Sequence, residues 1–390
     1  MTRLFYPFSE PLPMKKARAI QYLKTCRAAA ECGLDVVAMA PFSKGVSAHE
    51  CISFYGISGH ELLALEKVTA LRSQHGSAVR FSFNGVFNVS CLLRLMRHGH
   101  GRAAVMARHI KLAYFLLRFK KCFSMPFVFE AHEIFFSTAE SETNASRLRA
   151  MEEYVYRNSD ALISITEGLK KDIMDEFSPS APFFVIPDAA DVWSQASWRI
   201  ERLGDRRVFY IGSLYPWKGV DFLVKAMAYI PNATLDIVGG EEADIRRLKG
   251  IALETGIEDR VFFHGWVPHA EVKRLLCEAS VAVVPLGRSS IAERHTSPLK
   301  VFEYMASALP IVASDISSIR EVLSNNDNAV LVQPEDPIAL ARGVERVLSD
   351  SALAQRISTR AYADSKTRGW HERGKRLSEV ISAVVKGADG

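Results

Sequence analysis

The sequence predicts an α/β protein built from two Rossmann-like, doubly wound domains. Apolar, strand-like segments alternate with helical segments along the whole chain, which is typical of parallel sheets with right-handed crossovers. The 390 residues are 48% hydrophobic and 24% charged, so the chain is too long for one ordinary core and too apolar for disorder. Residues 188–205 lack periodicity and divide the alternation into two runs.

Each run predicts one domain, at residues 1–188 and 189–366, and residues 367–390 predict a final helix that packs back across the first domain. The N-terminal strands are expected at 1–8, 34–40, 80–83, 103–108, 126–131, 161–166 and 183–187. The N-terminal helices are expected near 15–32, 85–98, 110–122, 144–158 and 167–177. The C-terminal strands are expected near 207–213, 233–238, 260–264, 281–286, 311–314 and 329–333, with helices between them.

The segment 296–306, Thr-Ser-Pro-Leu-Lys-Val-Phe-Glu-Tyr-Met-Ala, predicts a phosphate-facing loop followed by an amphipathic helix. Ser297 is expected to cap the helix, and Pro298 suits its first turn. The amides of Leu299 and Lys300 would then present free N–H groups to an anion.

Glu303 lies one turn further along this helix, on the face of Leu299 and Lys300. The neighbouring side chains are largely apolar, and burial of an unpaired carboxylate is costly, so the position favours a ligand-facing role. A carboxylate there can accept hydrogen bonds from a sugar diol. The alternative is a solvated or salt-bridged helix glutamate.

The segment 208–221, Val-Phe-Tyr-Ile-Gly-Ser-Leu-Tyr-Pro-Trp-Lys-Gly-Val-Asp, repeats the order of apolar strand, glycine turn and helix start. Gly212 allows the backbone to approach a ligand closely, and Lys218 can neutralise phosphate charge at the helix mouth. Two phosphate-competent turns indicate one diphosphate. The alternative for Lys218 is a surface lysine at a helix start.

Two further strands end in residues that are candidates for the nucleotide pocket. Gly239 and Gly240 follow the apolar run at 235–238, and Trp266 and Val267 follow the next strand. The carboxyl ends of parallel strands are where ligands bind in such sheets. The alternative is that these residues only end the strands and turn the chain.

Two histidines in the first half are acceptor-side candidates. His132 lies in Glu130-Ala-His-Glu133 at the end of a strand, and His109 ends the neighbouring predicted strand. A lone histidine is otherwise most often a satisfied structural residue. Both interpretations stay open at this point.

The segments 208–221 and 296–306 together resemble the donor-binding half of glycosyltransferase family 4, in the subset whose donor loop reads Ser-Pro-Leu-Lys, and the resemblance covers nearly the whole chain. It implies the GT-B fold, with the two domains facing an interdomain cleft. In the family, a glycine followed by Arg or Ser holds the diphosphate together with a Lys-Gly pair, which correspond here to Gly212, Ser213 and Lys218. Of the two family glutamates, the second corresponds to Glu303, and His295 occupies the position of the first. His132 and His109 match frequent family histidines.

The resemblance implies a retaining hexosyltransferase that moves a sugar from a UDP- or GDP-linked donor to a hydroxyl of a glycan or lipid-linked acceptor in surface polysaccharide or glycoconjugate biosynthesis. Leaving-group stabilisation by Lys218 and the amides of the 297–299 loop would carry most of the catalysis. No cofactor and no metal ion would then be required. Two alternatives stay open: another GT-B enzyme such as a nucleotide-sugar epimerase, and a non-catalytic nucleotide-sugar-binding partner subunit.

The net positive charge lies in the first half of the chain. Residues 1–190 contain 23 Lys and Arg against 18 Asp and Glu, whereas residues 191–390 contain 26 of each class. The segment 94–121 contains eight basic residues and no acid, beside a run of apolar side chains. This segment could lie on an anionic membrane surface, and the alternative is a partly buried helix with a solvated basic edge. The basic residues are Arg94, Arg97, Arg102, Arg108, Lys111, Arg118, Lys120 and Lys121.

The remaining composition predicts a cytoplasmic protein, with possible peripheral association at the inner face of the membrane. The N-terminal apolar run is broken by Pro7, and no run reaches the length of a membrane span. The six cysteines form no Cys-x-x-Cys pair, which indicates free thiols and no metal site. No aromatic-interleaved binding module accompanies the basic segment, so nucleic acid is not an expected partner.

Overall fold

The computed structural model describes residues 1–70, 83–98, 101–139, 141–195, 198–289 and 291–388. Contacts divide the chain into two units, and the chain crosses between them twice. Unit 1 comprises Met1–Pro187 and Trp370–Gly390, and unit 2 comprises Asp188–Gly369. The first crossing lies one residue before the domain boundary expected from the sequence. In the described part of the chain, no helix combines the length and apolarity that a bilayer crossing requires.

Unit 1 is a parallel seven-stranded sheet with helices on both faces. The strands are β1 (Arg3–Pro7), β2 (Asp35–Ala40), β3 (Leu63–Lys67), β4 (Ala103–Ala107), β5 (Phe127–Ala131), β6 (Ala161–Ser164) and β7 (Phe183–Val185). The helices are α1 (Ala17–Glu31), α2 (Ala48–Phe54), α3 (Phe83–His98), α4 (Ile110–Arg118), α5 (Glu142–Asn158), α6 (Glu167–Phe177) and the C-terminal α14 (Trp370–Ala388). The strand order is β3-β2-β1-β4-β5-β6-β7, so the direction of winding reverses between β1 and β4.

Alternating residues of the unit 1 strands contribute to two separate cores, because successive side chains point to opposite faces of a sheet. Phe5 and Val105 belong to one core, whereas Leu4 and Ala104 belong to the other. Both faces of the sheet are therefore covered by helices, as a doubly wound fold requires. Helix α14 lies on the second of these faces, where it packs against α1.

Three local predictions for unit 1 differ from the structure. The strand β3 was not predicted; of the strand predicted at 80–83, residues 80–82 lie outside the described residues and Phe83 begins α3. β3 is a short edge strand whose side chains are mostly half-buried or exposed, so it lacks an apolar run. Helix α2 was not predicted. The helix predicted at 110–122 ends at Arg118 and is followed by a 3₁₀ turn.

Unit 2 is a parallel six-stranded sheet in the order β10-β9-β8-β11-β12-β13. The strands are β8 (Arg207–Ile211), β9 (Thr234–Val238), β10 (Val261–Gly265), β11 (Val281–Val284), β12 (Ile311–Ser314) and β13 (Val330–Val332). The helices are α7 (Val220–Ala226), α8 (Glu242–Glu254), α9 (His269–Glu278), α10 (Leu299–Ala306), α11 (Ser317–Arg320), α12 (Pro337–Ser349) and α13 (Ser351–Ser365). Every strand predicted for this unit is present, within a few residues.

The winding of unit 2 reverses between β8 and β11, which places a topological switch point at the carboxyl ends of these two strands. In open α/β sheets, ligands bind beside the carboxyl ends of the strands at such a point. The loops after β8, β9 and β10 reach this edge of the sheet, and so does the start of α10 through its contacts with β8. Most of the predicted donor-side residues lie on these segments.

Candidate functional site

The turn after β8 places Lys218 beside the switch point. Residues Pro216–Lys218 form one 3₁₀ turn, and Gly219 follows in the left-handed conformation with φ of 70°. A Cβ atom on Gly219 would lie 1.7 Å from the carbonyl oxygen of Pro285, which follows β11. Only glycine therefore fits this contact, and it fixes the turn that carries Lys218 against the neighbouring strand.

Lys218 is partly buried and has an aromatic neighbour. Its Nζ lies 3.7 Å from the ring centroid of Trp217, within the range of a cation–π contact. Burial lowers the pKa of Lys218 to about 7, because the charged form loses hydration. An anion bound next to Lys218 would therefore stabilise the charged form of its side chain.

Lys300, at the start of α10, is a second ammonium at the same edge. Its side chain is buried, and among the described residues no acceptor forms a hydrogen bond with its Nζ. The Nζ lies 3.7 Å from the centroid of Tyr210, and a Cβ atom on Gly212 would approach it to 2.9 Å. Burial holds the pKa of Lys300 well below its ordinary value, and the nearby charge of Lys218 lowers it further. The sequence analysis proposed the backbone N–H of Lys300 as an anion ligand, and the structure adds its side-chain amino group as a candidate.

Helix α10 begins differently from the prediction. Pro298, in extended conformation, is the N-cap residue and not part of the first turn, and no side chain caps the helix. The Ser297 hydroxyl instead accepts a hydrogen bond at 3.0 Å from the backbone N–H of Asp188. The expected Ser297 cap was therefore wrong, because this residue connects the loop to the start of unit 2. The helix still begins at Leu299, so the Leu299 and Lys300 amides lack intrahelical acceptors.

Glu303 and His295 lie on either side of this helix start. Glu303 is half-buried, and its charge acts on Lys300, whose pKa it raises against the larger lowering effect of burial. His295 is buried and ends a π-helical turn, Ile291–His295. The next residue after Glu303, Tyr304, accepts a hydrogen bond at 2.9 Å from the backbone N–H of Ile211, which attaches α10 to the end of β8.

The glycine turns after β8 and β9 meet at the same edge. A Cβ atom on Gly239 would lie 2.4 Å from the carbonyl oxygen of Gly212, and one on Gly240 would lie 2.2 Å from Leu214. Both glycines have positive φ, so the close approach and the backbone conformation both require them. Ser213 accepts a hydrogen bond from the Tyr210 hydroxyl at 2.8 Å through its carbonyl oxygen.

The other candidates for the nucleotide pocket, Trp266 and Val267, follow β10, the strand next to β9 at the edge of the sheet. The backbone N–H of Gly239 donates to the carbonyl oxygen of Gly265, which joins the ends of β9 and β10. Trp266 follows with 38% of its surface exposed, and Val267 packs partly against the core. An exposed indole at the end of a strand offers a flat surface for a planar ring.

The acceptor-side candidates occupy the carboxyl edge of the unit 1 sheet. Glu130, in β5, is 1% exposed and accepts a hydrogen bond from the Tyr6 hydroxyl. His132 follows β5, and its Nε2 lies 3.1 Å from Glu130 Oε2. Glu130 also forms an ion pair with Arg373 of α14. The sequence did not identify Arg373, because nothing local connects residue 373 with residue 130.

His109 lies at the N-cap position of α4, directly after β4 and thus beside the unit 1 switch point. Burial lowers the pKa of His109 below its ordinary value. Glu133 is also at this edge, and burial raises the pKa of its carboxyl group. A neutral imidazole and a carboxyl of raised pKa are groups that can exchange protons near neutral pH.

Within the segment 94–121, most apolar side chains of α4 do not face solvent as the membrane interpretation of this helix required. Leu112, Leu116 and Leu117 of α4 are buried in the unit 1 core. Part of the basic charge is also paired within the unit, since Arg94 contacts Glu66. The alternative of a packed helix with a basic edge is correct for α4.

In the described part of the chain, no three His, Cys, Asp or Glu side chains are grouped so that they could hold a metal ion. The structure brings one set of predicted donor-side residues together at the carboxyl edge of unit 2. It brings the two predicted acceptor-side histidines to the carboxyl edge of unit 1. The donor-side set comprises Gly212, Ser213, Lys218, Gly239, Gly240, His295, Ser297, Pro298, Leu299, Lys300 and Glu303, with Trp266 and Val267 beside it.

One known protein family matches the part of the chain that contains the donor-side residues. Residues 197–364 match the family model described as Glycosyl transferases group 1. The chain is 28% identical over 262 residues to "Uncharacterized glycosyltransferase MJ1607" of Methanocaldococcus jannaschii, covering 62% of this chain and 65% of that protein. It is 28% identical over 254 residues to a D-inositol 3-phosphate glycosyltransferase of Xylanimonas cellulosilytica, covering 60% of each. The matches thus span less than two thirds of these relatives.

Solved structures extend the similarity to the whole fold. Sucrose-phosphate synthase from Thermosynechococcus elongatus superposes with a TM-score of 0.81 at 18% identity, covering 99% of this chain and 100% of that one. Anabaena HepE in complex with UDP-glucose superposes with a TM-score of 0.71 at 17% identity, covering 98% and 100%. These similarities establish the fold, which is GT-B, as predicted.

Proposed function

We propose that this protein is a retaining glycosyltransferase of family 4 that transfers a hexose from a UDP- or GDP-linked donor to a hydroxyl of a glycan or lipid-linked acceptor in surface glycoconjugate biosynthesis. The glycosyl transferases group 1 match covers most of unit 2, which carries the two lysines and the glycine turns. The HepE structure of the same fold holds UDP-glucose, which supports a nucleotide sugar as the donor.

The observation that carries this proposal is the buried Lys300 amino group without a hydrogen-bond acceptor among the described residues, beside Lys218. Burial lowers the pKa of both amino groups, and an anion between them favours their charged forms. A diphosphate supplies that anion, and the Leu299 and Lys300 amides add donors at the helix start. As the anomeric C–O bond breaks, negative charge grows on the diphosphate leaving group, and both ammonium groups stabilise it.

The neighbouring residues provide the remaining donor contacts. Glu303 accepts hydrogen bonds from a sugar diol, His295 contacts the donor sugar, and Trp266 and Val267 lie against the base. His132 and His109 act on the acceptor side, where imidazoles can orient a hydroxyl or take part in proton transfer. Lysine charge performs the neutralisation that a metal ion performs in other transferases, so turnover requires neither metal nor cofactor.

Calorimetric titration with UDP, GDP and ADP, each without and then with magnesium, tests the donor site. We expect one nucleotide to bind without metal, and Lys218→Ala and Lys300→Met each to weaken binding at least about tenfold, since charge-assisted contacts to phosphate are lost. Lys225→Ala is the matched control, because this exposed lysine lies on α7 in the same unit. Equal affinity in all variants would contradict the assignment.

Turnover distinguishes the three activities that the sequence left open. A panel of nucleotide sugars is incubated with and without glycan acceptors, and Glu303→Ala is assayed beside the unaltered protein. Nucleotide release only with an acceptor, lowered at least about tenfold by Glu303→Ala, supports transfer. Interconversion of sugars would instead identify an epimerase, and binding without turnover would identify a partner subunit.

We propose α3, and not α4, as the helix that contacts a membrane surface. Val89, Leu93 and Met96 recur at helical spacing on α3 and are 47%, 56% and 44% exposed. Arg97 is exposed beside them, and exposed Phe119 follows α4, which packs against α3. Apolar side chains flanked by cations favour an anionic bilayer at the cytoplasmic face.

Flotation with vesicles of anionic or zwitterionic phospholipid tests this surface. We expect binding to anionic vesicles only, and its loss in Leu93→Ser. Leu253→Ser is the control, because Leu253 is 66% exposed on unit 2. Binding that is unaffected by Leu93→Ser would refute the α3 surface.

A further inference from the structure

Arg373, in the first turns of the C-terminal helix α14, is 4% exposed. Its guanidinium donates to three backbone or side-chain oxygens at ordinary distances: Thr25 Oγ1 at 3.0 Å, and the carbonyl oxygens of Ile186 and Pro187 at 2.6 Å each. Pro187 is the last residue of unit 1 before the first crossing. The guanidinium is thus held in one orientation by fixed acceptors, and its remaining arm, Nη2, donates to Glu130.

The two carboxylate oxygens of Glu130 contact different partners. Oε1 faces Arg373, and Oε2 accepts from the Tyr6 hydroxyl and lies 3.1 Å from His132 Nε2. Burial by itself raises the pKa of this carboxyl, but His132 and Arg373 outweigh it and hold the pKa of Glu130 well below its usual range. The three side chains form a continuous chain from α14, through β5, to the candidate acceptor edge.

We propose that Arg373 is a positioning residue: through Glu130, it holds His132 in a fixed orientation and limits how strongly the carboxylate draws a proton onto the imidazole. The proposal rests on the proposed function for the role of His132, but the geometry of the chain does not. Because Arg373 balances the charge of Glu130, the carboxylate lies against one nitrogen of the ring and attracts a proton there less strongly than an unpaired carboxylate would. The C-terminal helix thereby becomes part of the acceptor-side machinery.

Other charged or titratable groups face this chain of residues and must be considered. The hydroxyl of Tyr6 in β1 and the thiol of Cys26 in α1 are fully buried beside Glu130, and burial raises the pKa of each above its ordinary value, so both are neutral near pH 7. Arg108, after β4, is the other cation close enough to act on Glu130. Arg108 donates to Gln21, whereas Arg373 is the arginine that donates directly to the carboxylate in the described part of the chain.

The change Arg373→Gln removes the balancing cation but keeps a hydrogen-bond donor. The buried carboxylate then lacks a charged partner, which is costly, and protonation of His132 supplies a new one. We expect the imidazolium fraction of His132 at pH 7 to rise at least about threefold. It is measured from the ¹⁵N shifts of the histidine ring nitrogens, which are assigned with His132→Gln. We also expect kcat to fall at least about tenfold with little change in KM, and the acid limb of the pH–rate profile to move to higher pH.

Two comparisons separate positioning from a merely structural effect. Arg376→Gln is the matched control, because Arg376 lies one turn further on α14 and its side chain is 53% exposed. We expect it to change neither readout. The double change Glu130→Gln with Arg373→Gln removes both charges, so the His132 signal should return to that of the unaltered protein, and part of kcat with it.

An unchanged His132 signal in a folded Arg373→Gln protein would overturn the proposal. If this variant does not fold, Glu130→Gln tests the link from its centre, and there the imidazolium fraction must fall. An unaffected signal in that variant would be equally decisive against it. The ring signals are read without any substrate, so absence of sugar transfer by the unaltered protein would refute the proposed function while leaving this test intact.

Discussion

At the scale of single residues, the two lysines at the edge of unit 2 are groups whose burial is costly. Lys218 and Lys300 lie against the rings of Trp217 and Tyr210, and burial lowers the pKa of each, which the charge of Glu303 offsets only in part for Lys300. Protein interiors normally avoid such groups. The anion-binding role that we propose for both segments would account for their presence at one edge.

The depressed lysine pKa predicts that nucleotide binding takes up protons. Free Lys218 is partly neutral above pH 7, whereas a bound diphosphate favours the charged form, so the complex holds more protons than its components. Affinity should therefore be greatest below pH 7 and fall as the pH rises through that value. Calorimetry at pH 8 in buffers of different ionisation enthalpy measures the uptake directly.

Lys218→Arg provides the matched control for this pH dependence, since an arginine stays charged throughout the range. In this variant the nucleotide should still bind, but the protons that Lys218 takes up on binding should no longer be detected. Binding of equal strength at pH 6 and pH 9 in the unaltered protein would contradict the prediction.

The sequence predicted the residues of this edge better than their roles. Gly212, Lys218 and Glu303 were placed correctly on turn and helix because their local patterns are strong. The Ser297 hydroxyl was assigned to the helix cap, but its partner is the distant Asp188 N–H, which no local pattern reveals. The Lys300 side chain was missed for the same reason: its isolation depends on Tyr210 and on the Gly212 turn, which are remote in sequence.

At the scale of elements, the turn after β8 depends on a single glycine. Gly219→Ala would place a methyl group against the Pro285 carbonyl and force an alanine into the left-handed region, so we expect a loss of roughly 2–4 kcal/mol in the free energy of unfolding. Because this turn carries Lys218, nucleotide affinity should fall as well. Urea denaturation and calorimetry measure the two effects.

Gly250→Ala is the counterpart within the same unit. Gly250 lies inside α8, and a Cβ atom there has no heavy atom within 4 Å. Alanine should therefore leave affinity unchanged and stabilise the helix by roughly 0.5–1 kcal/mol. Equal stability of the two variants would show that the Pro285 contact does not constrain the turn.

Prediction of the elements succeeded where burial imposes a pattern and failed at one edge strand, β3. The four central strands of unit 2, β9, β8, β11 and β12, are largely buried and mostly apolar, which the sequence shows directly. β3 is half-exposed and ends in Glu66 and Lys67, so its sequence resembles a loop. Helix α2 did have a local signal, since Ser47 and Glu50 form a capping box in the structure, and the same spacing is visible in the sequence.

At the scale of the whole molecule, the two units have separate hydrophobic cores, and the candidate nucleotide site belongs to one of them. We expect the nucleotide that binds to raise the free energy of unfolding of unit 2 by about 2.7 kcal/mol when its concentration is a hundred times Kd. Calorimetric scans with and without nucleotide measure this shift, and tryptophan fluorescence follows the aromatic residues around the site.

A buried change in unit 1 serves as the control for that experiment. Ile381 lies in the part of α14 that packs into the unit 1 core. Ile381→Ala should lower the free energy of unfolding of unit 1 by about 2–5 kcal/mol and leave the nucleotide-induced stabilisation of unit 2 unchanged. A nucleotide-induced shift that vanishes in this variant would indicate that the site is not confined to unit 2.

The return of α14 to unit 1 also has a consequence for synthesis on the ribosome. Unit 2 is continuous in sequence, so it can fold as soon as residue 369 has left the exit tunnel. Unit 1 cannot close its second core until residues 370–388 emerge, by which time its first 187 residues have long been exposed. During translation the N-terminal sheet is therefore the part that depends on chaperones, although it is made first.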